Sequence, residues 1–288
     1  MTTEIATPLS ETIERPEGWI ARHPMLPLCL IMFGVEFFDA ALYILHARGL
    51  IAFKMPDGLA FLLSILHPAV AASVVTYAMS GRKGLRELFG RLLIWRVGGW
   101  WYVFIFGFYA VIMMGGNFLH VVFGGAQPVI PVAGDPLWAI PIKFALFLLF
   151  GVVTNTEEFA WRGVALPYLK AKYNNALVAA LLVSIPEVFL HLPDYFDPEM
   201  NFRRSAGIVA FTIFSMALSV IFAWVFINTK GSLLIVTLLH ASGNAWSNLL
   251  TDDSPRPFYF SVALFVLFAI GIALLNGPKN LSRQEVKE

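Results

Sequence analysis

Two glutamates stand side by side in an apolar stretch, Thr156-Glu157-Glu158-Phe159-Ala160-Trp161-Arg162, directly after the run from Phe144 to Val153. Even on the mildest insertion scale a carboxylate in the middle of a hydrophobic helix costs about 2.5–3.5 kcal/mol, so a chain that retains two is expected to use them. Two further polar intrusions interrupt apolar runs downstream, His191 and the cluster His240-Ala241-Ser242-Gly243-Asn244. Carboxylate, imidazole and amide are the groups that activate a water and hold a developing negative charge. Glu158 and Arg162 are four apart, in the orientation that favours an intrahelical ion pair. Glu157, about 100° further round the helix, is then left to point elsewhere. One carboxylate tied to an arginine beside one left free is a recurring division of labour in acid–base sites. His240 and Asn244, also four apart, share a helix face.

The elements that must carry these residues are membrane helices. Hydrophobic residues make up 58% of the 288-residue chain and charged residues 14%, against roughly 25% charged in a soluble domain, and the mean hydropathy is +0.72. The expected fold class is all-α: a polytopic membrane helix bundle of about eight transmembrane helices. Apolar runs long enough for a span of about 20 residues fall near 26–47, 57–80, 99–123, 137–157, 175–193, 205–228, 231–250 and 257–276. Between the second and third, Gly81 to Arg96 sets Leu85, Leu88, Phe89 and Leu92 at helical spacing among arginines, the pattern of a basic amphipathic helix at a membrane surface.

Basic residues cluster at Arg15 and Arg22, Arg82 to Arg96, Lys170 and Lys172, Lys230, and Lys279 to Lys287. The alternate connections carry acids such as Asp135, Asp194, Asp252 and Asp253. This bias predicts that both termini are cytoplasmic. The organisation expected is a cytoplasmic segment over 1–24, a single transmembrane domain over 25–276 and a cytoplasmic tail over 277–288. The first span lacks a small-residue cleavage site and reads as retained. The single cysteine, Cys29, excludes an intrachain disulfide and a cysteine zinc cluster.

Counting along helices tests whether the polar residues meet. If 137–172 forms one helix that turns at Tyr173-Asn174-Asn175, Glu157 lies 16 residues before Tyr173 and His191 lies 18 after it. At about 1.5 Å per residue these are roughly 24 and 27 Å from the turn. His240 lies nine residues beyond Gly231, roughly 14 Å into its span. With the hairpin tip projecting from the bilayer, all three reach a similar depth.

At these residues the chain resembles the CPBP family of intramembrane proteases, also called the CAAX protease-like, ABI or bacteriocin-processing family. The motifs are Glu157-Glu158-Phe159-Ala160-Trp161-Arg162, a second ending in His191, and His240 followed four residues later by Asn244, over a core of about 137–250. Gly163 and Leu166-Pro167 also look like the family. One position departs from it: the second motif usually reads Phe-x-x-x-His, and here position 187 is Glu187. A glutamate one turn before His191 is expected to hydrogen-bond that imidazole or to add an acid to the site.

The resemblance implies peptide-bond hydrolysis at or within the bilayer, with Glu157, His191, His240 and Asn244 as catalytic residues and Glu158, Arg162 and Glu187 supporting them. Two mechanisms stay open. In one, Glu157 and His191 activate water while His240 and Asn244 stabilise the oxyanion. In the other, His191, His240 and Glu157 bind Zn2+ or another divalent metal that acidifies the water. The implied partners are membrane lipids and a membrane-anchored or lipidated peptide or protein, with no nucleic acid, and the implied location is a bacterial cytoplasmic (inner) membrane. Two other readings stand beside this one: a non-catalytic scaffold or immunity protein, and a small-molecule transporter. Glu36 and Asp39, in the middle of the first span, belong to none of the protease motifs and are the residues a transporter would use.

Overall fold

A chain crossing a hydrocarbon layer must satisfy its backbone internally, which leaves helices or a closed barrel. The computed structural model describes residues 18–197, 206–251 and 254–283, and among them every regular element is helical. Arg15, Asp252, Asp253 and Lys287, which enter the charge pattern above, lie outside the described residues. Several long apolar helices make this an integral membrane protein.

Helices α1 (Met25–Ala47) and α2 (Asp57–Gly90) pack against each other. Pro68 lies inside α2 and cannot donate a backbone N–H to the preceding turn. Gly81 leaves the helical region altogether (φ 59°, ψ −152°), a conformation glycine adopts without a Cβ penalty. Beyond it, the expected amphipathic helix forms as a hinged continuation of α2. Gly84 and Leu88 are buried there, and Arg82, Lys83 and Arg86 are exposed. A 3₁₀ turn at Arg91–Leu93 leads towards α3 (Gly99–Val122).

The run expected as one helix over 137–172 is broken. Helix α4 (Ala139–Thr154) stops at Asn155, and α5 (Glu157–Tyr173) leaves at 49° to it. The turn expected at Tyr173 to Asn175 is present: Asn174 takes the left-handed conformation (φ 48°), and the Asn175 side chain accepts the Val178 N–H at 3.0 Å as an N-cap. Helix α6 (Ala176–Leu190) then returns. Its first N–H groups are met by the tail, Ala176 donating to the Lys279 carbonyl at 2.7 Å and Leu177 to the Pro278 carbonyl at 3.0 Å. Helices α7 (Ile208–Asn228), α8 (Leu233–Leu250) and α9 (Pro255–Asn276) complete the fold.

Each of the eight apolar stretches is therefore largely helical, but the count of eight spans is not confirmed. Among the described residues five helices have the length and apolarity of a span, and six if α4 and α5 are one bent span. Helix α6 has 15 residues, about 22 Å of rise against roughly 30 Å of hydrocarbon. Helix α8 is diluted by His240, Ser242, Asn244, Ser247 and Asn248.

That dilution matches its position, because α8 is the interior helix. It packs against α3, α4 and α7, and Leu233, Ile235, Val236, Leu239, Ala241 and Ala245 are fully buried. A methyl group at Gly151 of α4 would lie 3.0 Å from the Ala241 Cα, so a small residue there lets the two backbones close up. Helix α9 covers α3 and α7, while α6 lies between α7 and α1. Of its polar residues Ser242 is buried, His240 and Ser247 are half-buried, and Asn244 and Asn248 are exposed.

Candidate active site

The break at Asn155-Thr156 places Glu157 and Glu158 in the first turn of α5, where carboxylates complement the helix dipole. A π-helical turn over Trp161–Ala165 follows at once and carries Arg162; such turns recur at functional sites.

Glu158 and Arg162 are both buried, and they form the ion pair expected from their spacing: Arg162 Nε lies 3.4 Å from Glu158 Oε2. Arg162 has a second carboxylate, however. Its Nη1 donates to Glu187 Oε1 at 3.2 Å and its Nη2 to Glu187 Oε2 at 3.5 Å. The guanidinium lies over the Phe222 ring, Cζ 4.5 Å from the centroid. Glu187 is thus the second counter-ion of Arg162. The expectation that it bonds His191 is corrected: Glu187, on α6, faces α5, whereas His191 lies just past the end of α6. The His191 Nδ1 pairs instead with Asp194 Oδ2 at 3.3 Å, and its ring packs edge-on against Phe211.

His240 joins the same network from α8. Its Nδ1 lies 2.9 Å from Glu158 Oε1, and the ring stands perpendicular to Phe222. A carboxylate only accepts, so Nδ1 carries a proton and Nε2 is left for other partners. Asn244, one turn on, donates from Nδ2 to Asn155 Oδ1 at 3.0 Å. Asn155 is buried, and its own Nδ2 has no hydrogen-bond partner among the described residues.

Glu157 differs from its neighbour. Its Oε2 is buried and has no hydrogen-bond partner among the described residues. His191, His240 and His67 are its electrostatic neighbours, and the Trp161 indole lies beside it. Glu157, Glu187, His191, His240, Asn244 and Asn155 all line one cavity of about 350 Å3, closed on its other sides by Tyr109, Phe211, Phe214 and Phe222 among others. The four residues expected to be catalytic are therefore brought to one space, and Glu187 with them. Glu158 and Arg162 lie behind it.

Among the described residues no three His, Cys, Asp or Glu side chains are gathered as a ligand set. His191, His240 and Glu157 share the cavity; with the Nδ1 atoms of the two histidines held by Asp194 and Glu158, Nε2 is the nitrogen that each imidazole leaves for other partners.

Some participants carry no signal in the sequence. Asn155 is an ordinary helix-terminal residue until the bend sets it against Asn244. Tyr109 sits over Gly243, where a methyl would lie 2.6 Å from the Tyr109 Cζ; a lone tyrosine in an aromatic-rich span says nothing of this. His67 and Glu36 pair across α1 and α2, with 3.8 Å between Nε2 and Oε2, and the same two residues face Glu157. Polar residues in a span were the available clue.

No curated protein matches the chain. The carboxylate pair, the histidine after α6 and the His–Asn face of α8 all fall within residues 136–246, the segment over which the chain matches the family model described as Type II CAAX prenyl endopeptidase Rce1-like.

Proposed function

We propose that this protein is an intramembrane endopeptidase in which Glu157 is the general base. The single observation that carries this reading is that Glu157, His191, His240 and Asn244, from three separate parts of the chain, line one cavity. The first of them holds a buried carboxylate oxygen without a hydrogen-bond partner among the described residues. A carboxylate held in low dielectric without full matching is costly, and this one lines the cavity in which a water would meet it. In the proposed reaction Glu157 removes a proton from that water, oriented together with His191, and the oxygen attacks the peptide carbonyl. His240 Nε2–H and the second Asn244 N–H face the oxygen that becomes negative. The proton held by Glu157 then passes to the departing amine.

The network behind the cavity supports the role given to His240. With Glu158 and Glu187 ionised, Arg162 charged and His240 an imidazolium, the quartet sums to zero, the balance a buried cluster favours. Glu187 supplies the second negative charge. The substrate we propose is a membrane-anchored or lipidated peptide or protein, reached from the cytoplasmic membrane, with lipids as the other partners; both termini are proposed to be cytoplasmic.

The test is cleavage of a panel of membrane-anchored peptides, S-prenylated and unmodified, by detergent-purified protein beside Glu157→Gln and His240→Ala, each with and without chelator. Cleavage abolished in both variants and indifferent to chelator is the expected result. Loss of cleavage on chelation would replace the glutamate-only mechanism with a metal-assisted one. Full cleavage by either variant would remove this cavity from consideration. A panel that stays intact with wild type, together with a phenotype that survives Glu157→Gln, would favour the scaffold.

A further inference from the structure

Glu36 and His67 lie outside the family segment and outside the protease motifs, yet they face its carboxylate. His67 is almost fully enclosed and its Nδ1 lies 2.9 Å from the Leu63 carbonyl. A carbonyl only accepts, so Nδ1 carries a proton. A neutral imidazole would then present the bare lone pair of Nε2 towards Glu36 Oε2, 3.8 Å away, acceptor against acceptor. One proton therefore belongs to the pair, on Nε2 as an imidazolium or on the Glu36 carboxyl.

Three buried atoms nearby have no hydrogen-bond partner among the described residues: His67 Nε2, Glu157 Oε2 and Nε1 of the Trp161 indole beside Glu157. The segments that carry them are fastened together, since the Thr156 hydroxyl, one residue before Glu157, donates to the Ile65 carbonyl, two residues before His67. The charged and titratable groups facing the pair are Glu157, His191, Asp194 and Asp39.

We propose that the Glu36–His67 pair, holding one proton in common, orients the Glu157 carboxylate from the side opposite the substrate cavity. Glu36 and His67 are positioning residues: they act through Glu157 and do not touch the peptide. The inference rests on Glu157 being the base. It gives the acid in the first span a use inside the hydrolytic site, where a transporter would place it on an ion path.

The test has two arms. In lipid nanodiscs containing protein labelled with 15N-histidine, the ring nitrogens of His67, assigned with His67→Asn, are read in wild type, Glu36→Gln and Glu157→Gln. The expected result is that both substitutions move the His67 Nε2 resonance. A His67 signal indifferent to Glu157→Gln overturns the proposal, whatever the enzyme does. In the cleavage assay, Glu36→Gln and His67→Asn are expected to lower kcat by about tenfold to a hundredfold, the scale of a misaligned catalytic group. KM should stay within about twofold, and Glu36→Asp should recover part of the loss. Undiminished kcat in both overturns it. If Glu157→Gln itself cleaves normally, the reading of the base has failed, and the resonance arm alone decides whether the three side chains are coupled. Should His67→Asn not fold, the near-isosteric Glu36→Gln carries both arms.

Discussion

Glu157 and Glu158 are neighbours of one chemical type, and the protein treats them oppositely. Glu158 is fully enclosed and matched: Arg162 on one side, His240 on the other, with Glu187 sharing the arginine. Each keeps one buried oxygen without a hydrogen-bond partner among the described residues, but Glu158 Oε2 lies 3.4 Å from Arg162 Nε, whereas Glu157 lines a cavity and has no ion pair within 4 Å among the described residues. In the first region every charge meets another. In the second a carboxylate is held without an ion-pair partner, at a cost in stability. Burial alone therefore does not tell the two carboxylates apart; their ion pairs do.

The contrast can be broken most severely at Arg162. Arg162→Leu leaves two buried carboxylates without their cation, and a loss of about 3–5 kcal/mol is expected, read as a collapse of the melting temperature or of folded yield in detergent. Glu157→Gln should do the reverse. Cleavage is expected to fall by about 10²–10⁴-fold, while the melting temperature holds or rises, because an unpaired buried charge has been removed. A Glu157→Gln variant that unfolds like Arg162→Leu would erase the distinction between the two regions.

Glu187→Phe restores the residue usual in related motifs and strips Arg162 of one counter-ion. It should lower stability by about 1–3 kcal/mol, measured by the same melts, and the loss should vanish when Glu158 already lacks its carboxylate. Unchanged stability would mean that Glu158 alone balances the arginine. The smallest effect is expected at Asn155→Ala, which frees the Asn244 amide at a cost of about 0.5–1.5 kcal/mol for one hydrogen bond. Its signature is a lower kcat with a melting temperature lowered by only about 1–5 °C.

The sequence carried the broad architecture and much of the site. Long apolar runs oblige helices in hydrocarbon, and each expected stretch is largely helical. The four-residue spacings of Glu158 to Arg162 and of His240 to Asn244 are properties of a single helix, so the pair and the shared face were legible before any folding. The depth count for Glu157, His191 and His240 also anticipated a common level, although it assumed an unbroken helix. Of the two roles open to Glu187, the bond to His191 is not formed, because the Arg162 guanidinium on another helix takes the carboxylate, while its place in the cavity lining agrees with the other, a further acid in the site.

What the sequence determined by itself is what depends on neighbours along the chain: helix content, membrane character, and the ion pair and polar face set by a 3.6-residue repeat. What only the tertiary structure decided is what depends on how helices meet. The 49° break at Asn155-Thr156 put both glutamates in the first turn of a new helix. The same packing brought Asn155 to Asn244, turned Glu187 to Arg162, and carried Glu36 and His67 to Glu157. Contacts between residues far apart in sequence leave no periodic trace, because each is fixed by the geometry of packing rather than by the repeat of the helix.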